Sequence, residues 1–322
     1  MIWRNYLRGA LTSSSFICYT LSNFWSDFMQ EIIVIVGPTG VGKTKLSIEL
    51  AKRLDAEIIN GDSVAIYRGL DIGSAKPTIE EREGIVHHLL DIRDVWEDYS
   101  VFDYQKDVRK LIDEINSRGK RIIIVGGTGL YIKAALYDYK FTEGTVSNDY
   151  DDLSNEDLMK KILSYDVLID VHVNNRQRLV RLLNKLENEE EFSYDKDKAL
   201  YPIKVIGLTT DRDYLYERIN KRVDLMIKSG LLEEVSNLKE NYKSSRILNS
   251  GIGYKEFASY FGGDSSLDEV IESIKQDSRR FAKRQYTFFK HQFDVMWYDV
   301  NFKDFSVTIN QIYNDIVNKK EL

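Results

Sequence analysis

One cysteine, Cys18, stands in a chain of 322 residues. That excludes an internal disulfide and any Cys-rich zinc site, and it suits a reducing, cytoplasmic setting. Histidine is nearly as scarce. His87 and His88 are adjacent, while His172 and His291 stand alone, so no zinc-ligand spacing arises. Only three prolines occur, with no low-complexity tract and no internal repeat. Proline-rich linkers and solenoid architectures are thereby excluded. No apolar run approaches the roughly 20 residues of a membrane-spanning helix, so no membrane partner is expected. An excess of positive charge is missing too: 45 Lys and Arg face 51 Asp and Glu, a net charge of −6. Attraction to nucleic acid must therefore come from local basic stretches. What is present is a hydrophobic fraction of 43% with 30% charged residues. This describes a globular chain with a sizeable core, long enough for two domains or for one with an insertion.

Ile32 to Thr44 reads IIVIVGPTGVGKT. An apolar β-branched run leads into G-x-x-x-x-G-K-T, and helical spacing follows through Leu54. Strand, glycine-rich turn and helix are the setting in which this motif binds phosphate. Gly37, Gly40 and Gly42 leave room for the backbone N–H groups of the loop, which Pro38, Thr39 and Val41 complete. The helix adds the positive end of its dipole. Lys43 supplies a point charge, and the Thr44 hydroxyl suits the ligand shell of Mg²⁺. A polyphosphate ligand is expected.

Further strands are expected at Glu57–Asn60, Arg121–Val125 and Lys204–Leu208, alternating with helices. The Ser100/Asp103 capping box opens one of these helices. The pattern predicts an α/β fold: a doubly wound parallel sheet, P-loop NTPase-like, with sites at the strand carboxyl ends. From Phe141 to about Tyr201 helical periodicity replaces the strand signal and predicts a helical insertion. After Lys204–Leu208 helices are expected to the end, at Asp213–Ser229, Leu231–Asn241, Gly253–Phe261 and Leu267–Phe293. Residues 1–28 are aromatic, Ser-containing and poor in acids, and read as an extension outside the fold; Met29 then reads as an alternative start. The expected domains are residues 1–28, a core of 29–140 with 202–322, and the insertion 141–201.

Asp62 follows the second strand, where it either points at the phosphate loop or simply caps a turn. The long strand Ile122–Val125 ends in Gly-Gly-Thr without an acid, which weakens an ATP-hydrolysing reading. Thr128 would face the same crevice or belong to a plain turn. Gln177, Arg178 and Arg181 share a helix with a stripe of Leu179, Leu182, Leu183 and Leu186, so the arginines face solvent or a ligand. Lys275–Lys290 carries six basic residues against Asp277. With Ile274, Phe281 and Phe288 expected in the core, Arg279, Arg280, Lys283 and Arg284 form a ridge suited to phosphates.

Taken together these motifs resemble the tRNA dimethylallyltransferase (isopentenyltransferase) family. The resemblance rests on GPTGVGKT (Gly37–Thr44), GDS with IYRGLDIGSAKP (Gly61–Pro77), HHLLDI (His87–Ile92) and VGGTGLYI (Val125–Ile132). It continues through QRLVR (Gln177–Arg181), the segment Asp211–Val235, GIGYKEF (Gly251–Phe257) and AKRQYTFF (Ala282–Phe289), in family order from about Ile32 to Trp297. Asn175 stands where the family usually has Asp, and Ser74 where it usually has Thr.

The resemblance implies transfer of a dimethylallyl group from dimethylallyl diphosphate to the exocyclic amine of the adenosine 3′ of the tRNA anticodon. It implies Asp62, Thr128 and Lys43 as catalytic residues, and Gly37–Thr44 with Arg222 as the diphosphate site, with Mg²⁺ on Thr44. It implies contacts to the tRNA anticodon stem-loop from Asp62, Ser63, Val64, Ala65, Gln177, Arg178, Leu179, Val180, Arg181, Arg280, Lys283 and Arg284. A monomer is expected. A nucleoside or small-molecule kinase, a non-catalytic nucleotide-binding module and an adenylate isopentenyltransferase are the competing readings. The last typically lacks a long insertion.

Overall fold

The computed structural model describes residues 30–141, 150–165, 171–188 and 198–318. The expected extension, residues 1–28, lies outside them. The chain begins β1 (Ile32–Val36), α1 (Lys43–Leu54), β2 (Ala56–Asn60), β3 (His87–His88), α2 (Val101–Ser117), β4 (Arg121–Val125) and α3 (Gly129–Leu136). It continues through α4 (Asn155–Leu163), α5 (Arg176–Glu187), β5 (Ile203–Thr209), α6 (Arg212–Lys228), α7 (Leu231–Asn237) and α8 (Arg246–Ser250). It closes with α9 (Phe257–Gly262), α10 (Leu267–Gln292), β6 (Val295–Asp299) and α11 (Phe305–Val317).

The strands form one six-stranded sheet in the order β3-β2-β4-β1-β5-β6. Every neighbouring pair is parallel. The expected P-loop NTPase-like α/β fold is therefore the fold observed. β1 is central and buried throughout, as a strand of only Ile and Val covered on both faces must be. Its side chains alternate between two cores. Ile33 and Ile35 pack with Leu46, Leu50 and Ala51 of α1. Ile32, Val34 and Val36 pack with Val108 and Ile112 of α2 and with Ile132 and Ala135 of α3. The helices that follow the neighbouring strands β1 and β4 thus cover opposite faces. The loops leaving those strands diverge, and a crevice opens at their carboxyl ends.

Residues Asp138–Lys196 form a compact unit of their own. It contains α4 and α5 around Tyr150, Leu158, Ile162, Leu179, Leu183 and Leu186. At its root, Tyr137 and Ala199 pair as an antiparallel bridge, so the main unit is left and re-entered at one place.

The carboxyl-terminal third differs from expectation. Val295–Asp299 is a sixth strand, not part of a helical run, and α11 follows it. Five residues with one buried position give too little alternation to betray an edge strand. The expected helix Gly253–Phe261 is broken: Gly253 has φ +91°, and the helix starts only at Phe257. The helix from Leu231 ends at Asn237, followed by a 3₁₀ turn at Lys239–Asn241. Among the described residues no helix is long and apolar enough to cross a membrane.

β2 and β4 come closest at their carboxyl ends. A Cβ on Gly126 would lie 2.1 Å from the carbonyl carbon of Gly61. Gly126→Ala is expected to destabilise the protein by about 2–3 kcal/mol through overpacking. Gly119→Ala, which meets nothing within 4 Å but has φ +69°, is expected to lose only the roughly 1 kcal/mol of left-handed strain. Denaturant titration of both variants measures the difference, and equal losses would refute the close-approach argument.

Candidate active site

Three loops meet at the strand ends. The first, Gly37–Gly42, turns through φ +138° at Gly37 and +104° at Gly42, conformations that favour glycine. Lys43 folds back over it and donates from Nζ to the carbonyls of Gly37 and Pro38, each at 2.9 Å. α6 braces the loop from outside: Arg218 donates to the Gly40 carbonyl at 3.2 Å and Arg222 to the Thr39 hydroxyl at 3.2 Å. The Arg218 guanidinium also lies 4.0 Å from the Phe302 ring centroid.

The second loop follows β2. The Asn60 side chain accepts from the Asp62 N–H at 3.0 Å and donates to the carbonyls of Asp62 and Leu89 at 2.9 and 3.0 Å. Asp62 is thereby held in one orientation. Its Oδ1 accepts from the Val64 N–H at 2.9 Å. Both readings of Asp62 hold together: one oxygen caps the turn, and the side chain still faces the crevice.

The third loop follows β4. Thr128 precedes α3; its Oγ1 accepts from the Ser63 N–H at 3.0 Å and lies 3.2 Å from Ser63 Oγ. Asp62 and Thr128 are thus tied through adjacent residues.

Two cavities open beside these loops. One of about 800 Å³ is lined by Lys43, Thr44 and Arg218. The other, about 290 Å³, is lined by Ser63, Thr128, Val223, Met226, Ile247 and Arg284. Thr39, Asp62, Ser74, Arg222 and Phe281 line both. Asp62 and Arg222 therefore stand where the cavity beside the Gly37–Thr44 loop meets the smaller one, whose lining is mixed polar and apolar. Burial, with neighbouring Arg222, pushes the Lys43 ammonium down to about 7, while Asp62 opposes the shift. Burial also lowers the Arg222 guanidinium from its usual range. Two crowded cations with one carboxylate make a place prepared for an anion.

The remaining expected residues differ in exposure. In QRLVR, Gln177, Arg178 and Arg181 are exposed. Leu179 is fully buried, so its side chain is not available to RNA, while Val180 packs on the same core but stays partly exposed. Ala65 is likewise buried, and the Val41 side chain belongs to the core beneath the phosphate loop. Asn175 caps α5, accepting from the Arg178 N–H as an Asp would. On α10 the ridge is narrower than expected. Arg280, Lys283 and Arg284 are exposed, but Arg279 turns to Asn220 of α6 at 2.5 Å. Phe281 and Phe288 are only partly buried, Phe281 as a wall of both cavities.

Two residues were missed. Glu234 of α7 accepts from the backbone N–H groups of Asp71, Ile72 and Gly73 and from the Tyr254 hydroxyl, at 2.8–3.1 Å. It thereby holds the loop that carries Ser74. Gln285 is buried on α10. Its sequence signal was a polar residue on the apolar stripe of Ile274, Ala282 and Phe289.

The Lys43 environment has a measurable consequence. Free Lys43 titrates near 7, and an anion beside it raises that value. Above pH 7 binding must then take up a proton, and affinity must fall as pH rises. Calorimetry with inorganic diphosphate in buffers of different ionisation enthalpy at pH 8 is expected to show a net proton exchange shifted toward uptake in the unsubstituted protein relative to Lys43→Met, which removes the lysine but not the ligand's own proton release. Equal net exchange by the two proteins would contradict the assignment.

A family model described as IPP transferase matches residues 65–292. The tRNA dimethylallyltransferase of Bacillus subtilis strain 168 is 45% identical over 310 residues, covering 91% of this chain and 98% of its own length. The solved tRNA isopentenylpyrophosphate transferase of Bacillus halodurans is 41% identical, with a TM-score of 0.70 over 90% of this chain and 96% of its own. A eukaryotic dimethylallyltransferase solved acting on tRNA is 27% identical, with a TM-score of 0.70 over 90% of this chain and 79% of its own. Matched along most of its length in both sequence and fold, the chain belongs to the IPP transferase family.

Proposed function

We propose that this chain transfers the dimethylallyl group of dimethylallyl diphosphate to the exocyclic amine of the adenosine 3′ of the anticodon in tRNA. The observation that carries the reading is Asp62, held by Asn60 beside Thr128, at the junction of the two cavities. The donor's diphosphate lies in the larger cavity on the Gly37–Thr44 loop, and the flipped purine enters the smaller one. The amine nitrogen bonds to the first carbon of the allyl group as the carbon–oxygen bond breaks. The electron pair of that bond leaves on diphosphate.

An adenine amine is a poor nucleophile because its lone pair is delocalised into the ring. Asp62 accepts a hydrogen bond from it, aims it and takes its proton. Thr128 fixes the neighbouring backbone. Negative charge grows on the leaving diphosphate, and Lys43, Arg222 and the loop N–H groups stabilise it. The Thr39 N–H is excluded from that cradle because it is bonded to Gln285.

Magnesium fits on the same terms. Among the described residues no group of three or more His, Cys, Asp or Glu side chains is poised for a metal. Mg²⁺ at a phosphate site keeps waters and substrate oxygens and needs few protein ligands. Thr44, exposed at the start of α1, is the residue that would hold it. Its chemistry there is neutralisation of the leaving diphosphate.

Incubation with bulk tRNA and either allyl-labelled dimethylallyl diphosphate or γ-labelled ATP tests the reading. Allyl label in RNA is expected; phosphate label would establish a kinase instead. Asp62→Asn keeps an acceptor for Val64 but loses the base, so turnover is expected to fall about 10²–10⁴-fold with donor binding retained. Unchanged turnover would make Asp62 a turn cap alone. Arg178→Ala with Arg181→Ala is expected to weaken tRNA binding and to flatten its log–log salt dependence by about 0.7–0.9 for each RNA phosphate no longer neutralised. Equal slopes would return both arginines to plain solvated surface and leave Arg280, Lys283 and Arg284 as the residues that meet RNA.

A further inference from the structure

We propose that Gln285 is a positioning residue that sets the separation of the phosphate loop from the Thr128 loop, and with it the separation of leaving group and nucleophile. The proposal rests on the reaction assigned above. The Gln285 carbonyl accepts from the Thr39 N–H at 2.8 Å, and its amide donates to the Gly127 carbonyl at 3.0 Å. One side chain, 4% exposed, thus bridges the turns that follow β1 and β4. These strands are neighbours, but their following helices pack on opposite faces of the sheet. Beyond the last ladder pairing the two loops would be free to separate, and Gln285 spans the gap.

The geometry is specific to this side chain. The Thr39 N–H needs an acceptor and the Gly127 carbonyl needs a donor, so the amide orientation is determined by its partners. Glutamate of the same length cannot donate when ionised, and methionine fills the space with neither function. Gly127 is part of the fit, since a Cβ there would lie 2.0 Å from Gln285 Nε2. With carbonyl and amide each engaged by backbone, Gln285 is not a reader of the purine. The same helix turns Phe281 into both cavities and Arg284 towards the smaller one. The α10 segment that walls the reaction site therefore also fixes the loops on either side of it.

Removing the bridge leaves the part-buried Thr39 N–H and the buried Gly127 carbonyl without their partner. The loops then shift, and misplacement of about 1 Å is worth on the order of 10²-fold in rate. Gln285→Met and Gln285→Glu are compared with the wild type in prenyl transfer to tRNA, with turnover normalised to folded protein. Inorganic diphosphate affinity is measured separately by calorimetry. Gln285→Met is expected to lose about 10²-fold in kcat, with diphosphate affinity within threefold of wild type at every pH. Gln285→Glu is expected to be equally impaired at pH 8.5. It recovers relative to wild type as pH is lowered to 6, because a neutral carboxylic acid accepts from Thr39 and donates to Gly127. Packing alone produces no such recovery. A Gln285→Met kcat within twofold of wild type, or a depressed Gln285→Glu whose ratio to wild type stays flat with pH, overturns the proposal. Absence of prenyl transfer by the wild type overturns the assigned reaction instead, a separate result.

Discussion

The carboxyl end of β4 is held in backbone contact with the end of β2 on one side and with β1 on the other, and the rest of the site depends on that closeness. Gly61 and Gly126 meet with no room for a side chain. The Gly61 N–H donates to the Val125 carbonyl and the Thr128 N–H to the Gly61 carbonyl, at 2.8 and 3.0 Å. Such proximity places a phosphate loop, a carboxylate and a hydroxyl around one small volume. It also leaves many backbone groups to satisfy in a partly dry place, and side chains satisfy them: Asn60 for the β2 loop, Gln285 for the loops after β1 and β4, Glu234 for Asp71–Gly73. Each is polar, and each is spent on backbone, not on a ligand. Their joint effect is rigidity where charge must be met without reorganisation.

The electrostatic plan is concentrated in the same place. The chain as a whole is acidic, at −6, yet Lys43, Arg218 and Arg222 surround the phosphate loop. Burial holds Lys43 at the edge of deprotonation. An anion bound there would relieve that tension, and its affinity would be linked to protonation of Lys43. The acidity of the rest suits a protein whose nucleic-acid contacts must be local. Arg280, Lys283 and Arg284 on α10 and Arg178 and Arg181 on α5 are exposed basic residues, the ones proposed above for that role.

Much of this was legible in the sequence, for a physical reason. β1, β4 and the phosphate loop are short-range structure: β-branched runs, glycines and a helix start are encoded by adjacent residues. Asp62 and Thr128 were legible because a strand end fixes where the next residue goes. What escaped depends on partners far along the chain. Gln285 meets Thr39 across 246 positions, and neither segment alone says so. β6 escaped because an edge strand of five residues needs little apolar alternation. The motif places Leu179 on the RNA surface, yet helical periodicity puts its side chain on the buried side of α5. Arg279 was counted in the basic ridge, although its position turns it toward α6. Motif identified the segments, and periodicity sorted the faces within them.

The central claim is that nucleophile and leaving group meet at the junction of the two cavities, beside Asp62. A crystal structure with an anticodon stem-loop and a dimethylallyl diphosphate analogue carrying sulfur at the bridging position measures this directly. Diphosphate is expected on the Gly37–Thr44 loop, with the amine nitrogen within about 3–3.5 Å of the allylic carbon. An Asp62 oxygen is expected within hydrogen-bonding distance of that nitrogen. An amine bound away from Asp62, or a diphosphate bound off the loop, would contradict it.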